Sequence, residues 1–282
     1  MDSEPPKLPS DFVQTHPGLG ILRLAALIAE GDTADGETLD LMSEQTESHA
    51  LASTLPADMW PELARGLMAR TPSLMIRALQ ESGVLEIVLP EVSALFGVPQ
   101  IGSPRDVDLG IHLLKSLDEA ARREASLEVR FALLTMNVGK SDSPREHLPV
   151  HYRHIERGAP RVEAICNRFQ VPDPCRKLAL MALAECERVH RVSEVRAGPV
   201  AAMLQRVGAF DDPETFAQLM TVCASDYLAY AGSPGASYRK ADLLQSALKA
   251  CADLDEADDM QAVRAVAIAR AFRSERWSDN TP

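Results

Sequence analysis

Asp226 is the residue with the most chemistry at stake in this 282-residue chain. It falls in a segment of mainly apolar side chains that starts at Pro213, close to Cys223 and Tyr227. A carboxylate buried on such a helix needs a charged or hydrogen-bond-donating partner, because an unpaired buried charge is costly. We expect a histidine or an arginine to fill that place. His112 stands beside the apolar stripe Ile111, Leu113, Leu114 and Leu117, the setting of a hydrogen-bonded core histidine. His151 and His154 lie in a basic stretch, where surface histidines need no special role. That stretch, Arg145 to Arg161, sets Arg145, His147, His151, Arg153, His154, Arg157 and Arg161 against Glu146 and Glu156, with Tyr152 as a stacking ring. Arg188, Arg191 and Arg196 surround His190, and Arg270 and Arg273, three apart, share one helix face. Guanidinium groups of this kind bind phosphate without reading sequence, in a salt-dependent way. The plain alternative is an ordinary solvated helix surface.

The elements that must position these groups read as helices. Hydrophobic residues make up 46% of the chain and aromatics only 5%, an Ala/Leu/Val/Met-rich mixture suited to helix packing. Thr71-Pro72, Asp173-Pro174 and Asp212-Pro213 are helix starts, a capping side chain followed by proline at the first helical position. Breaks fall at Gly97-Val98-Pro99, Gly139 to Pro149, Gly198-Pro199 and Gly232 to Gly235. No stretch alternates with period two strongly enough for a sheet, so the expected fold is all-α. Residues 1–18, interrupted by Pro5, Pro6, Pro9 and Pro17, read as a flexible leader. Near the other end an acidic run, Asp253 to Asp259, precedes a basic helix with Arg264, Arg270, Arg273 and Arg276.

The formal net charge of −12 repels polyanions on average, so a nucleic-acid partner has to meet a local basic surface. Low aromatic content argues against an RRM-like stacking reader. Cys166, Cys175, Cys186, Cys223 and Cys251 are odd in number and contain no C-x-x-C pair. Neither a disulfide framework nor a zinc ribbon is indicated, and the cysteines read as small hydrophobes in a reducing cytoplasm. No apolar run reaches the ~18 residues that span a bilayer, and no secretion signal opens the chain. A membrane partner is not expected, and the expected location is cytoplasmic.

Several segments in consistent order resemble one family. Arg70-Thr71-Pro72, Ala78-Leu79, Gly83-Val84-Leu85, Leu89-Pro90-Glu91 and Leu95-Phe96-Gly97-Val98-Pro99 look like the neck-to-body passage of tRNA nucleotidyltransferases, the CCA-adding enzymes. Leu109-Gly110-Ile111-His112 follows where that family carries the first histidine of an appended HD domain. Arg130-Phe131-Ala132 leads to the His-Asp doublet position and then Gly139-Lys140. His151-x-x-His154 with Gly158 resembles the paired-histidine loop. Ala184-Glu185 with His190 resembles a histidine-bearing helix end, and Asp226 stands at the closing aspartate. The basic helix ending at Trp277 resembles the tail. The match runs from about Leu19 to Trp277.

The resemblance implies a helical neck over 19–100, a degenerate HD-like helical body over 101–232 and a helical tail over 233–282. It also implies tRNA as partner, held by the body and tail, with Arg145, Arg153, Arg157, Arg161, Arg270 and Arg273 as contact residues. A nucleotide-adding head needs a Gly-Ser loop and a D-x-D pair to hold two metal ions. Gly102-Ser103 and Asp106-Val107-Asp108 lie in a loop after the neck and are read as chance. The catalytic head is therefore expected to be absent. The base-selecting motif E-D-x-x-R is replaced by His16, Pro17 and Gly20, with only Arg23 kept of the L-R-x-x-R-F that follows. Proline and glycine cannot read a base edge with side chains.

At the HD doublet stand Met136 and Asn137, a poor ligand and an uncharged amide. His112, His151, His154, His190 and Asp226 remain as a degenerate metal set, so a divalent metal is the one cofactor the chain could take. No residue is assigned a catalytic role. The expected function is a non-catalytic tRNA-binding or tRNA-processing-associated protein, acting with a separate head-bearing chain or as a decayed paralogue. The alternative is a degenerate HD-type phosphohydrolase acting on phosphomonoesters or 2′,3′-cyclic phosphates. A third class is a scaffold whose acidic surface meets a basic partner.

Overall fold

The computed structural model describes residues 16–31, 42, 50–102, 105–192, 196–231 and 237–278. Among them thirteen α-helices and one two-residue strand pair are present, so the fold is all-α as expected. The leader residues 1–15 lie outside the described set. The first helix, α1 (Pro17–Glu30), starts two residues before the expected Leu19, with Pro17 at its first position. The chain continues through α2 (Pro56–Met68), α3 (Pro72–Glu81) and the short α4 (Val84–Val88) and α5 (Pro90–Ser93). After the strand pair come α6 (Leu109–Arg122), α7 (Leu127–Thr135), α8 (His154–Phe169) and α9 (Asp173–Arg191). The last four helices are α10 (Ala197–Arg206), α11 (Pro213–Ala231), α12 (Arg239–Lys249) and α13 (Met260–Ser278).

Proline marks several of these starts, but the expected capping side chain is seen only at Asp212: Thr71 makes no side-chain cap, and Asp173 is the first residue of its helix rather than the cap before it. Pro72 opens α3 and Pro213 opens α11, where Asp212 accepts from the Thr215 amide at 3.0 Å. Gly198-Pro199 corrects the expectation of a break: it lies inside the first turn of α10, where a missing proline N–H costs nothing. Asp106-Val107-Asp108 is likewise more than a loop. Val107–Asp108 pairs antiparallel with Pro99–Gln100, and Asp108 caps α6 by accepting from Ile111 N at 2.9 Å. Its other carboxylate oxygen accepts from Gly97 N. Both oxygens are thus committed to backbone amides, which gives Asp108 a structural use.

Packing joins these helices through one contiguous apolar core that runs from Ile21 to Phe272. The first three helices form a layer, with α1 against both α2 and α3, and α3 leads onto α6. In the middle, α9 packs on α7 and α11, and α11 on α6. At the far end α10 and α12 pack on α13. Two arginines tie the first layer together or to its neighbour. Arg23 spans from α1 to Glu62 of α2, its Nε 2.6 Å from one oxygen and its Nη2 on the other. Arg130 of α7 is buried and donates to the Leu67, Ala69 and Ala125 carbonyls at 2.9 Å each. Burial pulls its pKa below the ordinary arginine value.

Candidate functional site

Gly139 and Lys140, behind the Met136-Asn137 step, form a 3₁₀ turn (Val138–Lys140) that is pressed against the start of α8. A Cβ on Gly139 would stand 2.0 Å from the His154 carbonyl oxygen and 2.6 Å from Gly158 N, so only glycine fits there. That close approach brings the N-terminal end of α8 to the mouth of a cleft of about 210 Å³. Met136, Asn137 and Lys140 line one side of it, His154 the rim, and Cys186, His190, Asp226 and Tyr230 the floor and far wall.

At the floor, Asp226 lies between two histidines. His112 Nε2 is 2.8 Å from Asp226 Oδ1, and His190 Nε2 is 3.1 Å from Oδ2. His112, on α6, is almost wholly buried, and its ring lies 3.9 Å, centre to centre, from that of Tyr230. Ser116 Oγ, one turn further along α6, lies 3.4 Å from the same His112 nitrogen. His190 spends its other nitrogen, Nδ1, on the Tyr238 hydroxyl at 2.7 Å. Burial opposes charge on Asp226, but the hydrogen bonds from His112 and His190 outweigh it and hold the carboxyl below the usual carboxylate range. Burial likewise opposes charge on His190, and its hydrogen bond to Asp226 reverses the effect, raising its pKa. The unit is a His–Asp–His cluster in which two imidazoles flank a buried carboxylate.

The rim works differently. Lys140 Nζ donates to Glu187 Oε1 at 2.8 Å and to Gln100 Oε1 at 3.1 Å. His154 Nδ1 faces the His151 carbonyl at 2.9 Å, and its Nε2 lies 3.7 Å from Glu187. His151 turns away from the cleft floor, with Nδ1 2.8 Å from Ser143 Oγ and Nε2 3.0 Å from the Pro99 carbonyl. Burial first, and the Lys140 ammonium next, lower the pKa of both His151 and His154. Of the five expected metal ligands, His112, His190 and Asp226 therefore meet directly, His154 stands at the rim and His151 is apart. That set does not fit an HD two-metal centre: Met136 and Asn137 supply no carboxylate, and His151 points elsewhere.

The six expected RNA-contact arginines divide. Arg145, Arg153 and Arg270 are exposed. Arg153, at a left-handed backbone position before α8, makes a 3.8 Å pairing with the exposed Glu156. Arg157 donates to the Gly139 and Tyr152 carbonyls at 3.1 and 2.7 Å, and to Ser143 Oγ at 2.8 Å. Arg161 reaches the Val138 carbonyl at 2.9 Å and Asp142 at 2.7 Å. These two hold the loop in shape. Arg273 lies on α13 with its side chain outside the described ones. Tyr152 is exposed at the same edge, its ring edge-on to His147. Glu185 of the expected histidine-bearing helix end is spent on Arg188 and Arg206.

Sequence reasoning missed Cys186, Tyr238 and the Lys140–Glu187 pair. Cys186 was within reach, because it precedes His190 by four residues and so shares its helix face. Its Sγ lies 3.4 Å from His190 Nε2. Tyr238 comes from a separate helix start 48 residues on, and nothing local marks it.

Fold and site together define an all-α protein with a histidine–aspartate cleft between α6, α9 and α11. Over 238 residues the chain is 40% identical to the Multifunctional CCA protein of Burkholderia vietnamiensis, covering 84% of this chain and 57% of that protein. The match to the Multifunctional CCA protein of Nitrosospira multiformis is 38% over 243 residues, 86% of this chain and 59% of the relative. For Burkholderia multivorans it is 37% over 258 residues, 91% and 60%. No family model matches the chain. The chain is a relative of the multifunctional CCA proteins over most of its own length, as the ordered motifs imply. It spans about three fifths of the length of these curated relatives. Among the described residues, no helix is long and apolar enough to cross a membrane.

Proposed function

We propose that this chain binds tRNA through a basic edge formed by the loop before α8 and through α13, and that it does not add nucleotides by itself. The observation that carries the reading is the exposed edge of Arg145, Tyr152 and Arg153 on a chain whose net charge is −12. A local cationic surface on an acidic protein needs a reason, and relatives named Multifunctional CCA protein supply a tRNA one. Arg270 on α13 adds a second exposed guanidinium, while Arg157 and Arg161 act by holding the loop. Against nucleotide addition stand His16, Pro17 and Gly20 at the base-reading positions, and Arg23 committed to Glu62. Action alongside a separate head-bearing chain, or as a diverged paralogue, is part of the same proposal. A metal-dependent phosphohydrolase is the second reading, favoured by the His112–Asp226–His190 cluster at a cleft.

The test is fluorescence anisotropy of the purified chain with bulk tRNA at about 50 and 200 mM salt, where counterion release makes affinity fall steeply. Clear binding at low salt that weakens on Arg153→Ala and Arg145→Ala supports the reading. Absence of binding at low salt refutes it, and a phosphatase assay on phosphomonoesters and 2′,3′-cyclic phosphates then examines the second.

A further inference from the structure

Cys186, His190 and Asp226 bring one sulfur, one imidazole nitrogen and one carboxylate oxygen within 4.8 Å of one another. We propose that these three residues form a zinc-class metal site, which keeps His190 and Asp226 of the set that the sequence suggests and takes Cys186 as its third ligand in place of the other histidines. Zinc sits about 2.0–2.2 Å from nitrogen and oxygen ligands and about 2.3 Å from thiolate sulfur. In tetrahedral geometry those bond lengths place neighbouring ligand atoms roughly 3.3–3.6 Å apart. Here Cys186 Sγ is 3.4 Å from His190 Nε2, and His190 Nε2 is 3.1 Å from Asp226 Oδ2. Small side-chain rotations therefore suffice to admit an ion.

Helix geometry makes the set stiff. Cys186 and His190 are one turn apart on α9, and Asp226 comes from α11, which packs against α9. The supporting contacts are those that metal-bound ligands ordinarily have. Tyr238 Oη bonds to His190 Nδ1 at 2.7 Å, which fixes the ring and leaves Nε2 to face the ion. His112 Nε2 holds Asp226 Oδ1 at 2.8 Å, which leaves Oδ2 to face it. All three ligands line the 210 Å³ cleft, so a fourth coordination position faces open space. That is the three-ligand pattern that keeps a place for water or an oxyanion. The Lys140 ammonium on the same cleft is neutralised by Glu187 and does not oppose a dication. The thiolate sets the class of ion, since sulfur favours zinc or cobalt over magnesium, calcium or manganese.

The inference stands apart from tRNA binding, and its test contains no RNA. The full chain, treated with chelator and dialysed, is titrated with Co(II) while its absorption spectrum is followed, and zinc is then added to displace the cobalt. Expected are one equivalent of bound cobalt, a sulfur-to-cobalt charge-transfer band in the near ultraviolet, and visible bands of tetrahedral intensity. Cys186→Ser should lose the charge-transfer band while far-UV circular dichroism stays unchanged, and Cys166→Ser should keep it. Tyr238→Phe should retain the band and weaken binding by about 10–100-fold, the usual cost of losing an outer-shell partner. Absence of stoichiometric binding overturns the proposal, as does binding without the sulfur band or a band that survives Cys186→Ser. A wild-type spectrum without the sulfur band overturns the proposal even if a variant fails to fold, and if Cys186→Ser does not fold, His190→Gln, which keeps every cysteine, should still lose stoichiometric cobalt binding.

Discussion

Replacing Arg130 by methionine should destabilise the chain by about 3 kcal/mol, and the reason lies in the end of α2. A helix leaves its last carbonyls without intrahelical partners, and these carry the negative end of its dipole. Arg130 of α7 reaches two carbonyls at that end, Leu67 and Ala69, and with Nε the Ala125 carbonyl before α7. Each charge-assisted bond is worth roughly 1.5–3 kcal/mol, and each stranded carbonyl costs about 1–3 kcal/mol. Against the loss stands the relief of a guanidinium that burial itself disfavours, as its lowered pKa records. Methionine also refills part of the volume, so the net is set near 3 kcal/mol rather than at the full sum. For a chain of this size that is a fall in Tm of roughly 5 °C. Urea unfolding followed by far-UV circular dichroism measures it, with Arg130→Lys expected in between, because an ammonium cannot span all three acceptors. Equal stability of Arg130→Met and wild type would refute the account of how α2 is anchored to α7.

Acid should weaken the fold through the rim histidines. The pKa values of His151 and His154 are lowered by burial and by Lys140, so the folded chain prefers their neutral forms. Their contribution is complete above the unfolded value of about 6.5 and is lost as pH falls below it toward the folded pKa, with a slope of at most ~1.4 kcal/mol per pH unit for each histidine. Chemical denaturation between pH 7.5 and about 5 checks this, and His151→Gln should flatten the profile. Gly139→Ala should cost more than ~2 kcal/mol, since the added methyl meets backbone atoms that cannot rotate away; a melting curve within 2 °C of wild type would count against that packing. Burial pushes the Cys166 thiol up to about 11 and the Cys175 thiol up to about 12. Iodoacetamide near pH 8 should therefore leave both unlabelled in the native chain and label them in urea, as peptide mass mapping would show.

Much of the architecture is written locally. Thr71-Pro72 and Asp212-Pro213 announce helices because proline's fixed φ acts within a single turn, and α3 and α11 begin at those prolines; of the two expected caps Asp212 accepts from a backbone amide and the Thr71 side chain does not. Asp226 announces its need for a partner because its apolar helical neighbours guarantee burial. The ordered motifs likewise lead to the CCA proteins from residues alone. Tertiary structure decides what no local pattern encodes. His112 and Asp226 are 114 residues apart, and their pairing follows from α6 packing on α11. Arg153, Arg157 and Arg161 look alike in sequence, yet the latter two turn inward because the tight contact at Gly139 puts carbonyls within their reach. Cys186 joins His190 and Asp226 only because α9 faces α11. Periodicity tells which face of a helix is buried, whereas the partner across the interface is set by how whole helices pack, and that depends on the summed shape of the core.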